Sequence, residues 1–180
     1  MKAWHFVGDK LRDGRPVPAD GVTLKHKGEL SLCESGLHAY VRLMDALQYA
    51  PGATICRVEM GGQIIKDDDK MVASERTILW RIDGEQLLRE FARRCALDVI
   101  HLWKAPEIVA RYLKTGDESI RDAAGAAAWA AAGDAARAAA WAAARAAAID
   151  AAMAAAWAAQ RLNQTRRLTC MVMAEYRRQR

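Results

Sequence analysis

The unit Asp-Ala-Ala-x-Ala-Ala-Ala-Trp runs from Asp122 to Trp129 and recurs from Asp134 to Trp141 and from Asp150 to Trp157. It lies in a tract, Arg121 to Gln160, in which 26 of 40 residues are alanine. Alanine has the highest helix propensity and a side chain small enough for another helix to approach closely. The tract is therefore expected to be helical and to serve packing, so chemistry has to be sought in the first half of the chain. Asp122, Asp134, Arg137, Arg145 and Asp150 interrupt the tract, and central charges are costly in a bilayer, so no membrane span is expected.

Residues that are not alanine fall every four positions, from Gly125 and Trp129 through Gly133, Arg137 and Trp141 to Trp157 and Arg161. At roughly 100° per residue that row drifts by about 40° per step and winds around a single rod. Gly133-Asp134 offers a break, with Gly133 closing one helix and Asp134 capping the next. Stacked helices packed through alanine faces, each burying a tryptophan, are expected over one long rod.

Residues 1–82 read as a small mixed domain of strands and helices. Lys2–Val7 (KAWHFV) reads as a first strand, Val41–Ala50 as a helix stopped by Pro51-Gly52, and Thr54–Met60 as a strand. Gly61-Gly62 reads as a turn, followed by strands over Gln63–Lys66 and Met71–Ile82. Asp67-Asp68-Asp69 reads as a solvated loop, without the alternate spacing of a calcium loop. From Asp83 the chain turns helical: Asp83 with Gln86 is a capping pattern, Pro106 opens a helix over Glu107–Lys114, and Asp117 caps the next. The fold class is thus α+β, with an α+β domain over 1–82 and an all-helical, alanine-rich part over 83–180.

Charge is uneven. Residues 1–83 balance, whereas residues 161–180 hold six arginines against Glu175. Such a tail suits a solvated helix end, where cations meet the negative pole of the helix dipole. It could also meet an acidic protein or nucleic acid, although aromatics interleaved for single strands are missing. Arg, Tyr and Trp most often anchor protein interfaces, which makes Arg166, Arg167, Tyr176, Arg177 and Arg178 the partner-binding candidates. Cys33, Cys56, Cys95 and Cys170 are scattered without Cys-x-x-Cys spacing, as in a cytosolic protein with reduced thiols, and no metal site is expected. Alanine-rich helices also self-associate, which leaves a homodimer open.

The polar candidates of the first half are His5 in WHF, His38 and Tyr40 in SGLHAY, and Glu75 in ASERTI. Their order, a strand with His, a strand with His and Tyr, and a late strand with Glu, resembles the ADP-ribosyltransferase arrangement. That resemblance implies a polar residue at the nicotinamide ribose, an aromatic platform and a late carboxylate, with NAD as cofactor. His5, His38, Tyr40 and Glu75 would then be catalytic. A carboxylate there would stabilise positive charge developing on the ribose carbon. Each also has a structural reading: a packed core histidine, a histidine satisfying a turn, and a surface pair of Glu75 with Arg76. No phosphate loop, nucleophile elbow or zinc-protease helix is present.

The combination CESGLHAY, ERTILWRIDGEQLLREFARRCA and TGDESIRDAAGAAAWAAA resembles accessory proteins of phages, prophages and bacterial mobile elements. In these a domain with a Cys-x-x-Gly-[Phe/Leu]-His-Ala motif (Cys33, Gly36, Leu37, His38, Ala39) precedes alanine-rich repeats similar to those of immunity proteins. The resemblance implies a mobile-element role such as neutralising a toxin or a host defence complex, and the expected function is a non-catalytic binder without a cofactor. It would occlude a bacterial defence complex or a toxin through protein–protein contacts in the host cytoplasm.

Overall fold

The computed structural model describes residues 1–131 and 150–179, and the side chains of these except for 150–159. The protein is α+β, with an antiparallel sheet in its first half and helices beyond it. Five strands form the sheet: β1 (Lys2–Val7), β2 (Thr23–Lys25), β3 (Leu37–Tyr40), β4 (Thr54–Lys66) and β5 (Lys70–Asp83). Their pairing closes on itself. β1 pairs β4, β4 pairs β5, β5 pairs β3, and β3 returns to β1 through Trp4 opposite Tyr40. β2 adds to β5 beyond β3, at Thr23–Lys25. Every strand of the ring thereby has a neighbour on both sides, with β1 and β3 meeting at one pair, which shortens the exposed edges that invite aggregation.

Paired residues in antiparallel strands share a face, so the register sorts the side chains. Ala3 pairs Val58, His5 pairs Cys56, Met60 pairs Arg76, and Ala39 pairs Met71. This inner face holds one buried apolar cluster of Ala3, Val7, Ala39, Cys56, Val58, Met60, Met71, Ala73 and Ile78, against which Val17 packs. Trp4, Phe6, Ile55, Arg57, Trp80 and Ile82 alternate with these residues and face the other way.

Gly61-Gly62 does not make the expected turn. β4 runs unbroken through both residues, and the register shifts there instead. Gly62 has φ +66°, and a Cβ on it would fall 2.1 Å from Ser74 Oγ, so only glycine fits. The Ser74 hydroxyl oxygen accepts the Gln63 N–H at 2.9 Å, which satisfies a donor freed by the bulge. The chain reverses at Asp67–Asp69, where the Asp67 N–H donates to the Lys70 carbonyl. The helix expected over Val41–Ala50 is shorter, α1 (Leu43–Leu47), and it packs against β1 and β3 with Leu43 and Ala46 buried.

Two compact units divide the chain, Met1–Leu87 with Gln164–Arg180, and Leu88–Asn163. The all-helical part expected over 83–180 is therefore split, because its last turns group with the sheet. In the C-terminal helix (Asp150–Arg178), Leu168 and Val172 are fully buried and Tyr176 stacks on Trp80 with ring centroids 4.1 Å apart. Their spacing of four places all three on one helix face.

In the second unit, α3 (Glu107–Thr115) follows Pro106, and the Asp117 carboxylate accepts the Ser119 N–H at 2.9 Å to open the next turn. α2 (Glu85–Asp98) leads into this unit, and the Asp83 carboxylate accepts the Glu85 N–H at 3.0 Å. Residues 121–131 are helical. Trp129 is 83 % exposed, so the expected burial of the first repeat tryptophan does not occur. An alanine surface offers too little apolar area to cover an indole unless a second element packs over it. The proposed break at Gly133-Asp134 and the indole of Trp141 lie outside the described residues, and the side chain of Trp157 is likewise outside them.

Candidate functional site

The Cys33–Ala39 motif is a tight loop feeding β3. Ser31 and Ser35 exchange backbone hydrogen bonds at 2.9 and 3.0 Å, and Cys33 takes φ +71° between them. Gly36 has φ +114°, and a Cβ there would meet Val72 Cγ2 at 2.4 Å and Leu30 Cδ2 at 2.8 Å. His38 closes the loop with its own ring. The Cys33 N–H donates to His38 Nε2 at 2.9 Å, so the ring proton sits on Nδ1, which donates to the Gly36 carbonyl at 3.2 Å. Both ring nitrogens are spent on the backbone, and burial lowers the pKa of His38, with Arg76, Arg12 and Lys70 pushing the same way against the Gly36 bond. His26 braces the loop base: the Ser35 hydroxyl donates to the Glu29 carbonyl at 2.9 Å, so the His26 ring donates to Ser35 Oγ at 3.1 Å.

The other three candidates are placed as follows. Tyr40 pairs Trp4, stacks on Tyr49 at 5.2 Å, and has its pKa pushed up to about 12, chiefly by burial. Glu75 makes an ion pair with Lys25 at 3.0 Å across the β2–β5 register. His5 lies opposite Cys56 on the inner face, and burial, then Arg76 and His38, holds its pKa well below the ordinary value. Trp4 and Tyr40 share the outer face, so His5 points away from Tyr40. Arg76 pairs Met60 inward, so Glu75 beside it points outward. The sheet thus separates His5 from the other three, and the geometry does not bring the four side chains to one cleft.

Arg76 is the residue that reading the sequence missed. It does not form the expected surface pair with Glu75; it is 6 % exposed and sits on the inner face. Its Nη1 donates to the His38 carbonyl at 2.6 Å, tying β5 to β3, and its Nε is buried without a partner. Burial lowers its pKa to about 10. Arg81, the other inner guanidinium, is neutralised by Asp20 at 2.6 Å and also donates to the Pro18 carbonyl, which pins the loop that carries Val17. Cys56 is an inert thiol here, pushed up to about 11 by burial. Among the described residues no group of His, Cys, Asp and Glu side chains is arranged to hold a metal ion.

On the outer face, Arg57 lies 4.5 Å over the Trp4 ring, Trp4 meets Trp80 edge-on at 5.9 Å, and Tyr176 covers Trp80. Tyr176 is thus part of an aromatic row. Arg166, Arg177 and Arg178 are exposed, Arg167 is half-buried, and Arg178 pairs with Glu175 at 2.5 Å. Arg166 and Arg177 are eleven residues apart, about three turns, so they share one outward helix face.

Fold and site together define a small α+β domain with a closed antiparallel ring, a buried arginine inside it and an aromatic row capped by a basic helix outside. A family model described as a domain of unknown function, DUF7666, matches residues 1–90, half of the chain, and the protein belongs to that family. No curated protein and no solved structure matches it. No helix among the described residues is long and apolar enough to cross a membrane.

Proposed function

We propose that this protein is a non-catalytic binding protein of a phage or mobile element, which occludes a bacterial defence complex or a toxin in the host cytoplasm. The observation that carries the reading is the separation of the four polar candidates by the sheet. His38 is consumed by its loop, Tyr40 by Tyr49 and Glu75 by Lys25, while His5 points to the other face. What the domain offers a partner is a fixed surface. Leu168, Val172 and Tyr176 hold the C-terminal helix, and Arg166 and Arg177 stand outward from it. A rigid helix presenting guanidinium groups loses little entropy on docking against an acidic surface.

The test is capture from bacterial lysate by the full chain, repeated with Arg166, Arg167, Arg177 and Arg178 all changed to Gln, followed by titration of the purified partner. The expected result is inhibition that saturates at a fixed ratio, is indifferent to NAD, and weakens in the variant together with its salt dependence. Modification of the partner at substoichiometric amounts, lost in Glu75→Gln, would overturn the reading in favour of an enzyme.

A further inference from the structure

The guanidinium of Arg76 is incompletely used. Nη1 is committed to the His38 carbonyl, Nε is buried with no partner, and Nη2 has none either and is the corner that keeps solvent contact. Nε–H and one Nη2–H lie in the guanidinium plane along one edge, the edge that grips a carboxylate or phosphoryl group through two parallel hydrogen bonds. That whole edge is unpaired on a side chain only 6 % exposed. A buried cation is stabilised by a counter-charge, so this edge is arranged to receive an anion.

The surroundings agree. The charged group acting on inner-face His5 is the cation Arg76, with His38 pushing the same way. Asp20, the one carboxylate acting on neighbouring Cys56, is already bonded to Arg81. His5 shares the inner face, feels the charge of Arg76 and is half-buried, so solvent reaches it there. Its neutral ring can add a third N–H donor.

We propose that the inner face of the ring binds a small molecule through a carboxylate or phosphoryl group, gripped side-on by Nε and Nη2 of Arg76 with His5 alongside. A protein or nucleic-acid surface is too large to reach a side chain this deep, which restricts the ligand to a small oxyanion or the terminal group of a small metabolite. The site is independent of the basic helix, so it stands or falls separately from the binding function proposed above.

The experiment titrates the ¹⁵N-labelled full chain with sodium phosphate, and separately with sodium acetate, against sodium chloride at matched ionic strength. The Arg76 Nε–H resonance is followed, assigned by its loss in Arg76→Lys. The expected result is a saturable shift with phosphate, acetate or both, and none with chloride. Phosphate alone would identify a phosphoryl ligand and acetate alone a carboxylate. Arg76→Lys keeps the charge but loses the fork, and should weaken binding by about tenfold or more, the loss of one charge-assisted hydrogen bond. Absence of a saturable shift with both anions, or equal affinity in Arg76→Lys, would overturn the proposal. Should Arg76→Lys fail to fold, through-bond correlation to the Arg76 backbone in a ¹³C,¹⁵N-labelled chain supplies the assignment and the wild-type titration decides alone.

Discussion

Stability should fall as the pH drops from 7 towards 5.5, and His5 should be a principal cause. Its pKa in the folded chain is held well below 6.5 by burial and by Arg76, so the native ring resists protonation as the pH falls through 6.5. In the unfolded chain the same ring takes up a proton near pH 6.5. The unfolded state then binds more protons, and stability must decline as the pH falls through 6.5 towards the folded pKa. The linkage relation caps the His5 contribution at one proton, about 1.4 kcal/mol per pH unit, while the unfolded ring is protonated and the native ring is not. His38 is shifted in the same direction and adds to the loss, by less because it is partly exposed. Asp13 and Asp117, the carboxylates held low by hydrogen bonds, act only below their ordinary 3.8 and stay out of this window. Urea unfolding at pH 7.0, 6.5, 6.0 and 5.5 measures the slope, and His5→Gln should reduce it by close to one proton. A wild-type stability that is flat across the window, or an unchanged slope in His5→Gln, would refute the argument.

Three further outcomes are expected. Gly36→Ala forces a side chain into the left-handed region and against Val72 and Leu30, and should cost about 2 kcal/mol or more in urea unfolding. Leu168→Ala removes a fully buried side chain and should cost about 2–4 kcal/mol, which would show that the C-terminal turns fold with the sheet. Tyr176→Leu should uncover Trp80 and shift tryptophan emission to the red, with a smaller stability loss than Leu168→Ala.

The strands were legible because alternation survives locally: in KAWHFV, Ala3 and Val7 turn to one side and Trp4 and Phe6 to the other. The helix signals at Asp83, Pro106 and Asp117 were legible because caps act within a few residues. The burial of Arg76 was not legible. Counting by twos from Met71 and Ala73, both inward, puts Glu75 inside and Arg76 outside. The register shift opposite Gly61 and Ile64 reverses this parity, so Arg76 and Ile78 turn inward and Glu75 outward. A one-residue slip flips every later side chain, and its location depends on contact between Gly62 and Ser74 across a hairpin. Ring closure was equally hidden, because the Trp4–Tyr40 pairing joins segments whose register no local pattern encodes.

The same parity change accounts for both the division of the polar candidates and the isolation of Arg76. Were β5 to alternate without the bulge opposite it, Glu75 would share the inner face with His5. The bulge sends the carboxylate out to Lys25 and brings a guanidinium in. Inside the ring there is then a cation with an unpaired Nε and a histidine held neutral, a set suited to holding an anion. Outside, the carboxylate ends in an ion pair at the sheet surface, while the aromatic row carries the packing of the C-terminal helix. A single extra residue in β4, where Gly62 and Gln63 stand opposite Ser74, therefore decides which of two chemistries the interior can support.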